Sequence, residues 1–499
     1  MRTLKPTVRS DEQGIALVMA LLMVLAVSVV TGALVMVART EALSSTSYTS
    51  MSQSRYGAES GVHAAANYLL NTYALPTAAS ATDPFAFYDM SGSPVRLIAT
   101  GNPVVLSSDP AVASNYPVQA IRDAFVANSV GNLNVNGAPV AYSARATLMS
   151  MSTVVDYYTQ QPITLQTWRI EGVGRITGSG QSQVEVEATL ETRPTPVFSY
   201  AAFATHDGCN AMSFAGGADT HSYDSANLGA GIADTGGNVG TNGSLDGNGG
   251  TTEINGTLST PRSGVGNCTA NNVTAATISG FATVEEGLVQ LPQPITLPTP
   301  PTPSAGTTDV HFTSANGCAG APYCVMIPSG SPPTPRPTIV PPTSSTVIPM
   351  HTVDLNGTAE VHLRAGIYEV NSLVLNGGAK IKVDSGPVII KVKGDGVATP
   401  LDLSGGGVSN PSMNPQNLQF VYAGTGNIKI TGGSQTAALV YAPNASGSFD
   451  GASTDFYGAV VTKYVTSMGG FSLNYDRRLQ NTVMTAGAPM MTSFTWKTF

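Results

Sequence analysis

This chain carries little charge. Lys and Arg number 23 and Asp and Glu 31 among 499 residues, 11% together, and the net charge is −8. Without a basic stripe to neutralise phosphates, the composition excludes nucleic acid as a partner, and it is too sparsely charged for a solvated disordered tail. Histidine is equally scarce, with six. His351 and His362 have no Gly-x-Ser-x-Gly partner, which removes Ser-His-Asp chemistry. His206 precedes Cys209 by three residues, but no second pair follows at zinc-ligand spacing. The stretches Asp234–Asn238 and Asp246–Asn248 have the oxygen-rich composition of calcium loops. They lack both the twelve-residue frame that closes on glutamate and the Gly-Gly-x-Gly-x-Asp repeat, so turn formation accounts for them. No phosphate loop or dinucleotide fingerprint occurs. Neither metal nor cofactor is expected.

Cysteine is limited to four positions, Cys209, Cys268, Cys318 and Cys324. Cys318 and Cys324 enclose Ala-Gly-Ala-Pro-Tyr, a loop that a local disulfide could close. Cys209 and Cys268 then pair by elimination, although four cysteines permit three connectivities.

What the chain does have begins with an apolar run. Ile15 to Ala38 is interrupted only by Ser28, Thr31 and Gly32. As a helix it spans a bilayer core of ~30 Å. Arg2, Lys5 and Arg9 precede it and keep the leader in the cytoplasm, so everything after Arg39 lies across the membrane, where disulfides persist. The plain alternative is an ordinary signal anchor. Against a cleaved secretory signal, no small-residue cleavage site follows the run. The sequence continues without proline through Thr40–Leu70, where Tyr56, Ala58, Val62, Ala65, Ala66, Leu69 and Leu70 recur near helical spacing.

Two motifs in this region resemble a known family. Glu12-Gln13-Gly14 before an aliphatic run resembles the prepilin leader, which a prepilin peptidase cuts after the glycine. Gln53 to Gly61 (QSRYGAESG) resembles the A-E-A-G segment of PilX-type minor pilins. The resemblance covers about residues 10–75. It implies cleavage between Gly14 and Ile15, methylation of the new amino terminus, and a pilin helix over 15–72 whose residues 15–38 lie in membrane lipid. It also implies other pilins and the inner-membrane assembly platform as partners. Major pilins carry glutamate five residues into the mature chain, where it answers a neighbour's free amine; here that position is Met19. The family's tip subunits share this departure, which argues against a repeating shaft subunit.

Residues 73–196 read as a pilin-like α+β domain: loop from Ala74 to Asp109, a short helix over Val118–Ser129, and strands over Ala138–Ser152, Thr164–Thr177 and Gln183–Glu191 with a turn at Gly178-Ser179-Gly180. An antiparallel sheet with one dry face would cover the helix's amphipathic half. The strand–turn–strand is similar to the corresponding PilX-like region. Gly and Pro, 53 and 33 residues in all, set the character of the chain beyond residue 196. Residues 197–290 alternate short β segments with Asn-Gly and Gly-Gly turns. Residues 291–345 are Pro/Thr-rich, a linker or surface strap holding the Cys318–Cys324 loop. Residues 346–482 return to the first pattern, with turns at Asn356-Gly357, Asn376-Gly377, Gly405-Gly406, Gly432-Gly433 and Gly469-Gly470, and 483–499 read as a tail. Such recurrence suggests a parallel β-helix or solenoid; a β-sandwich shares most of these cues. Val440–Asp476 also resembles the β-helical C-terminal domain of some pilus-assembly proteins.

A β-helix could act on polysaccharides with two carboxylates ~5–9.5 Å apart. The candidates are Asp384, Asp395, Asp402, Asp450, Asp455 and Asp476; most adjoin Gly, Ser or Asn, as turn residues do. The expectation is therefore an α+β protein: a long transmembrane pilin helix with a small antiparallel sheet, then a large all-β, solenoid-like domain. Functionally it is a non-enzymatic minor pilin of a type IV pilus or related secretion filament, tip-located and acting in assembly and adhesion through a surface glycan or protein ligand. The alternative is a membrane-anchored extracellular β-helix adhesin or polysaccharide-active enzyme.

Overall fold

The computed structural model describes residues 11–176, 181–280, 282–314, 317–330, 334–343, 346–431, 436–451, 454–486 and 490–498. Most of the leader and the turns expected at Gly178–Gly180 and Gly432-Gly433 lie outside them. The chain forms two units. The first holds residues 1–153, 164–193 and 489–499, and the second 154–163 and 194–488.

The first unit is built on one helix, α1 (Asp11–Asn71), which meets no proline along its length. From Ile15 to Thr49 every residue is exposed. Beyond that, burial recurs at helical spacing through Ser54, Gly57, Ala58, Gly61, Val62, Ala65, Ala66, Tyr68 and Leu69. Tyr56 and Leu70, expected on the apolar stripe, lie off this face and are exposed. The face packs on an antiparallel sheet with strand order Val105–Ser107, Ala138–Val155, Pro162–Ile176, Ser182–Glu191, Met490–Thr498; Gly131–Val135 pairs beside Ala138–Val155. Val184, Val186, Ala188 and Leu190 point into the shared core, with Glu185, Glu187 and Glu191 between them on the wetter face. A second helix, α2 (Gln119–Ser129), adds Phe125, whose ring meets Tyr68 edge-on at 5.6 Å. Within 74–109, expected as loop, the strand Val105–Ser107 joins the sheet through Ala146 and its neighbours.

Four glycines set how closely helix and sheet approach. A Cβ on Gly172 would lie 2.1 Å from the Ala58 carbonyl oxygen, and one on Gly174 would lie 1.9 Å from that of Ser54. From the other side, a Cβ on Gly57 would meet Val140 at 2.5 Å and one on Gly61 the Ser143 carbonyl oxygen at 2.7 Å. Backbone therefore rests directly on backbone. The ~1 kcal/mol of helix propensity lost at each helical glycine is the cost of this contact. Ser54 and Gln53 pin its upper end by hydrogen bonds to the Ser182 carbonyl at 3.2 Å and the Val135 carbonyl at 3.0 Å.

The second unit is all β, and its long sheet is parallel. One column of paired residues runs Ile348, Tyr368, Ile390, Phe420, Val440, Val460, Ala202, Val239, Leu258, Leu288. Another runs Val310, Val353, Leu373, Leu401, Ile428, Gly447, Val465, Met212, Leu245, Ala276. Their side chains fill a common core until Leu288, the last of its column, which is 43% exposed. Order along the stack is not order along the chain. Residues 202–290 build outward to one end, and 347–476 build back from the other. The two halves meet where Thr454–Met468 pairs with Met212–Ala215 on one side and Ala437–Asp450 on the other.

The Pro/Thr-rich stretch 291–345 does two things. Its first part lies against the stack as a strap: Asn242 donates to the Ile295 carbonyl at 2.8 Å, and Gly306 N donates to the Met350 carbonyl at 2.9 Å. Its second part forms strands Val310–Phe312, Cys324–Ser329 and Thr334–Ile339. The prolines are tolerated because Pro335 and Pro337 face only the antiparallel neighbour Cys324–Ser329; the parallel neighbour begins at Thr338. Residues 483–499 also contain strands. Met484–Ala486 pairs with Pro194–Pro196, and Met490–Thr498 pairs with Ser182–Glu191 in the first unit's sheet.

Candidate functional site

The first candidate surface is the bare half of α1. Ile15, Met19, Leu22, Val29 and Met36 are each more than half exposed, and the apolar surface ends at Arg39 and Glu41. The polar interruptions are satisfied locally: Ser28 and Thr31 donate to the Val24 and Val27 carbonyls, each at 2.7 Å, so neither hydroxyl depends on water. This helix is long and apolar enough to cross a membrane. The Gly14–Ile15 bond lies in its first turns, and Met19 sits five residues in, among exposed aliphatics with no carboxylate beside it in sequence.

The cysteines lie in the second unit. Cys209 bonds to Cys268 and Cys318 to Cys324, closing spans of 59 and 6 residues. By loop-closure entropy the longer link is worth about 4 kcal/mol and the shorter about 2. Cys209 is thus no thiolate ligand for a metal beside His206. That imidazole packs 4.5 Å from the Tyr464 ring, and burial lowers its pKa.

Four other histidines meet carboxylates. His311 pairs with Asp354 at 3.0 Å and His351 with Asp309 at 2.8 Å. His362, buried, places Nδ1 2.8 Å from Asp384 and Nε2 2.9 Å from Glu360. His221 lies between Asp219 at 3.3 Å and Asp234 at 3.0 Å. Its hydrogen bond to Asp219 raises its pKa against the opposing effect of burial. A raised folded pKa gives stabilisation that is fully present below the ordinary histidine value near ~6.5 and is lost as pH rises through the folded value. The unfolding midpoint of the full-length protein should therefore fall by about 1–2 °C from mild acid into the alkaline side of neutrality. His221→Gln should flatten that part of the profile. An unchanged slope would show that the two aspartates do not hold the charged ring.

Of the six carboxylates that could have formed a catalytic pair, Asp384, Asp395, Asp402 and Asp450 each have a partner of their own. Asp395 pairs with Lys393 at 2.5 Å, Asp402 accepts from Ser404 N at 3.0 Å, and Asp450 accepts from Ser448 at 2.5 Å. Asp384 belongs to the His362 pair. Asp455 pairs in register with Ser472 near a strand start, and Asp476 is buried beneath a turn. Two buried networks have no signature in the sequence. In the first unit Asp83 accepts from Tyr88 at 2.5 Å and Tyr116 at 2.6 Å, with burial pushing both hydroxyls well above the usual tyrosine range. In the second, Tyr158 stacks on Tyr441 at 4.2 Å and donates to Gln419 at 3.3 Å.

Residues 355–482 match the model of a family described as a domain of unknown function, DUF7305. Neither a curated protein nor a solved structure matches the chain. The matched stretch contains the column from Tyr368 to Val460 and the strands that close the junction with Met212–Ala215.

Proposed function

We propose that this chain is a minor pilin, a structural subunit of a type IV pilus or related secretion filament. The observation that carries the reading is α1 itself: one uninterrupted helix whose first half is bare and apolar and whose second half is packed, backbone on backbone, against an antiparallel sheet. A bare apolar face of that length must be covered, by lipid before assembly and by the helices of other pilins afterwards. The subunit is held in the inner membrane by residues 15–38 with its domains in the periplasm, and then joins an extracellular filament through the assembly platform.

The second unit is a parallel β-helix on this reading. Support comes from the two columns of buried residues, each paired in parallel with the next along the stack. Met19 supports a place at or near the tip. A subunit without the acid leaves a neighbour's amine unanswered, and an unpaired buried charge is costly; at the tip no such neighbour lies beyond. There it initiates assembly and displays the β-helix for adhesion.

Processing tests the reading. Membrane-extracted protein from cells with an active prepilin peptidase should begin at Ile15, and protein from peptidase-deficient cells at Met1. A chain that starts at Met1 in both would defeat it.

A further inference from the structure

We propose that the second unit carries a binding groove for an acidic oligosaccharide, with Arg477 as the residue that takes a sugar carboxylate. This goes beyond the filament reading and does not require it. The groove has a volume of about 670 Å³, and three turns form its walls. Asp224 follows strand Asp219–Tyr223, Asn414 and Gln416 precede strand Leu418–Tyr422, and Arg477, Arg478 and Asn481 belong to the single helical turn after strand Phe471–Asp476. Such a volume suits a ligand of two or three sugar rings.

The walls are fixed before any ligand arrives. Asp476 is fully buried, and its Oδ1 accepts from Ser225 N and Arg478 N, each at 3.2 Å, which ties the first wall to the third. Arg478 Nε donates to Asp224 Oδ1 at 2.8 Å. That ion pair, with the Ala226 amide, lowers the Asp224 pKa, so the pair stays charged near neutral pH. Asn414 accepts from Gln416 N at 3.0 Å, which sets the turn between them. Groups held this way lose little freedom on binding.

The charges then select the ligand. Asp224 is matched by Arg478 at hydrogen-bond distance, with a weaker attraction from Arg477, and Asp476 is sealed from solvent with Oδ1 committed to backbone amides and Oδ2 without a partner among the described residues. Arg477 is exposed, lines the groove and makes no ion pair among the described residues. A guanidinium in this position presents a planar fork suited to a carboxylate. Around it the side-chain amides of Gln416 and Asn481 offer both donors and acceptors, the pattern that sugar hydroxyls match. Among the described residues no aromatic ring lines the groove, so an apolar sugar face has nothing to stack on and hydrogen bonding must carry recognition. A uronic acid supplies both the carboxylate and the hydroxyls.

The test is titration calorimetry on the full-length protein in detergent micelles, with tetragalacturonate, maltotetraose and inorganic phosphate as probes. Tetragalacturonate should bind at least tenfold more tightly than either of the others. Arg477→Ala should weaken it at least tenfold with the unfolding midpoint unchanged, since the side chain is exposed. Arg477→Lys should restore part of the loss, and Asn481→Ala should weaken binding without altering its dependence on salt. Equal binding of maltotetraose would overturn the acidic specificity, and equal binding of phosphate would reduce the groove to a simple anion site. Undiminished binding by folded Arg477→Ala, or no binding of tetragalacturonate by the native protein, would overturn the proposal.

Discussion

Gly174→Val should unfold the first unit, or leave it unable to hold α1 against its sheet. A Cβ at this position would sit 1.9 Å from the Ser54 carbonyl oxygen and 2.5 Å from Ala58 N. Both are backbone atoms of the helix, so no rotamer change relieves the clash, and the helix must move away from the strand. Moving it opens the core formed by Ala58, Val62, Ala65 and Leu69 with Ile170, Val184, Val186 and Ala188. Overpacking in a core costs up to about 3 kcal/mol even where side chains can adjust; a rigid backbone neighbour puts this variant at or beyond that figure. Gly172→Val should behave alike, because its Cβ would meet the Ala58 carbonyl oxygen at 2.1 Å. Gly32→Ala is the control: no atom lies within 4 Å of its added Cβ, and helix propensity there favours alanine by ~1 kcal/mol. Thermal unfolding and limited proteolysis of the full-length chain in detergent would separate the three. Wild-type behaviour of Gly174→Val would mean that helix and strand do not approach as closely as their backbones indicate.

This contact is half legible in sequence. Gly57 and Gly61, four residues apart on a helix, signal either close approach or local weakness, and nothing in the helix decides between them. The answer lies in Gly172-x-Gly174, glycines on one face of a strand more than a hundred residues later. The dry face of Ser182–Glu191 is readable because alternation of period two is a local property. The order of the second unit's stack is not, since Met212 pairs with Val465 and no short-range pattern encodes that register. Proline density makes residues 310–339 look unfit for strands, a rule that holds for strand centres and fails for an edge hairpin. Among the cysteines only the short Cys318–Cys324 loop points to a pairing by spacing; Cys209 and Cys268 follow by elimination, with three connectivities open. The groove at Arg477 cannot, because Asp224, Asn414 and Arg477 come from three separate turns, each of which reads alone as ordinary loop.

The non-sequential stack leads to the second large effect. Thr454–Met468 is the strand that joins the two halves, and Phe456 on it is fully buried, with Phe449 and Phe471 each 6.4 Å away between ring centroids. Phe456→Ala leaves a cavity among side chains that are themselves held by ladders on both sides, so the site collapses little and the cost should be about 3–5 kcal/mol. For a unit of this size that corresponds to a fall of about 5–8 °C in the unfolding midpoint. Leu288→Ala removes a smaller, aliphatic side chain at the end of a column, where it is 43% exposed and, among the described residues, no further strand continues the column, and should cost under about 1 kcal/mol. On the β-helix reading proposed above, elements touch only their neighbours and the unit divides at its weakest interface. In Phe456→Ala, amides of Met212–Ala215 and Asp219–Tyr223 should therefore lose hydrogen-exchange protection together with those of Phe471–Asp476, while Val353–Val392 stays protected. Val353–Val392 belongs to the half built inward from the opposite end, whose pairing through Leu373, Ile390 and Phe420 the substitution leaves intact. Equal losses of stability for the two variants, or protection lost evenly along the whole stack, would show that the strand from Thr454 is not the seam between the two halves.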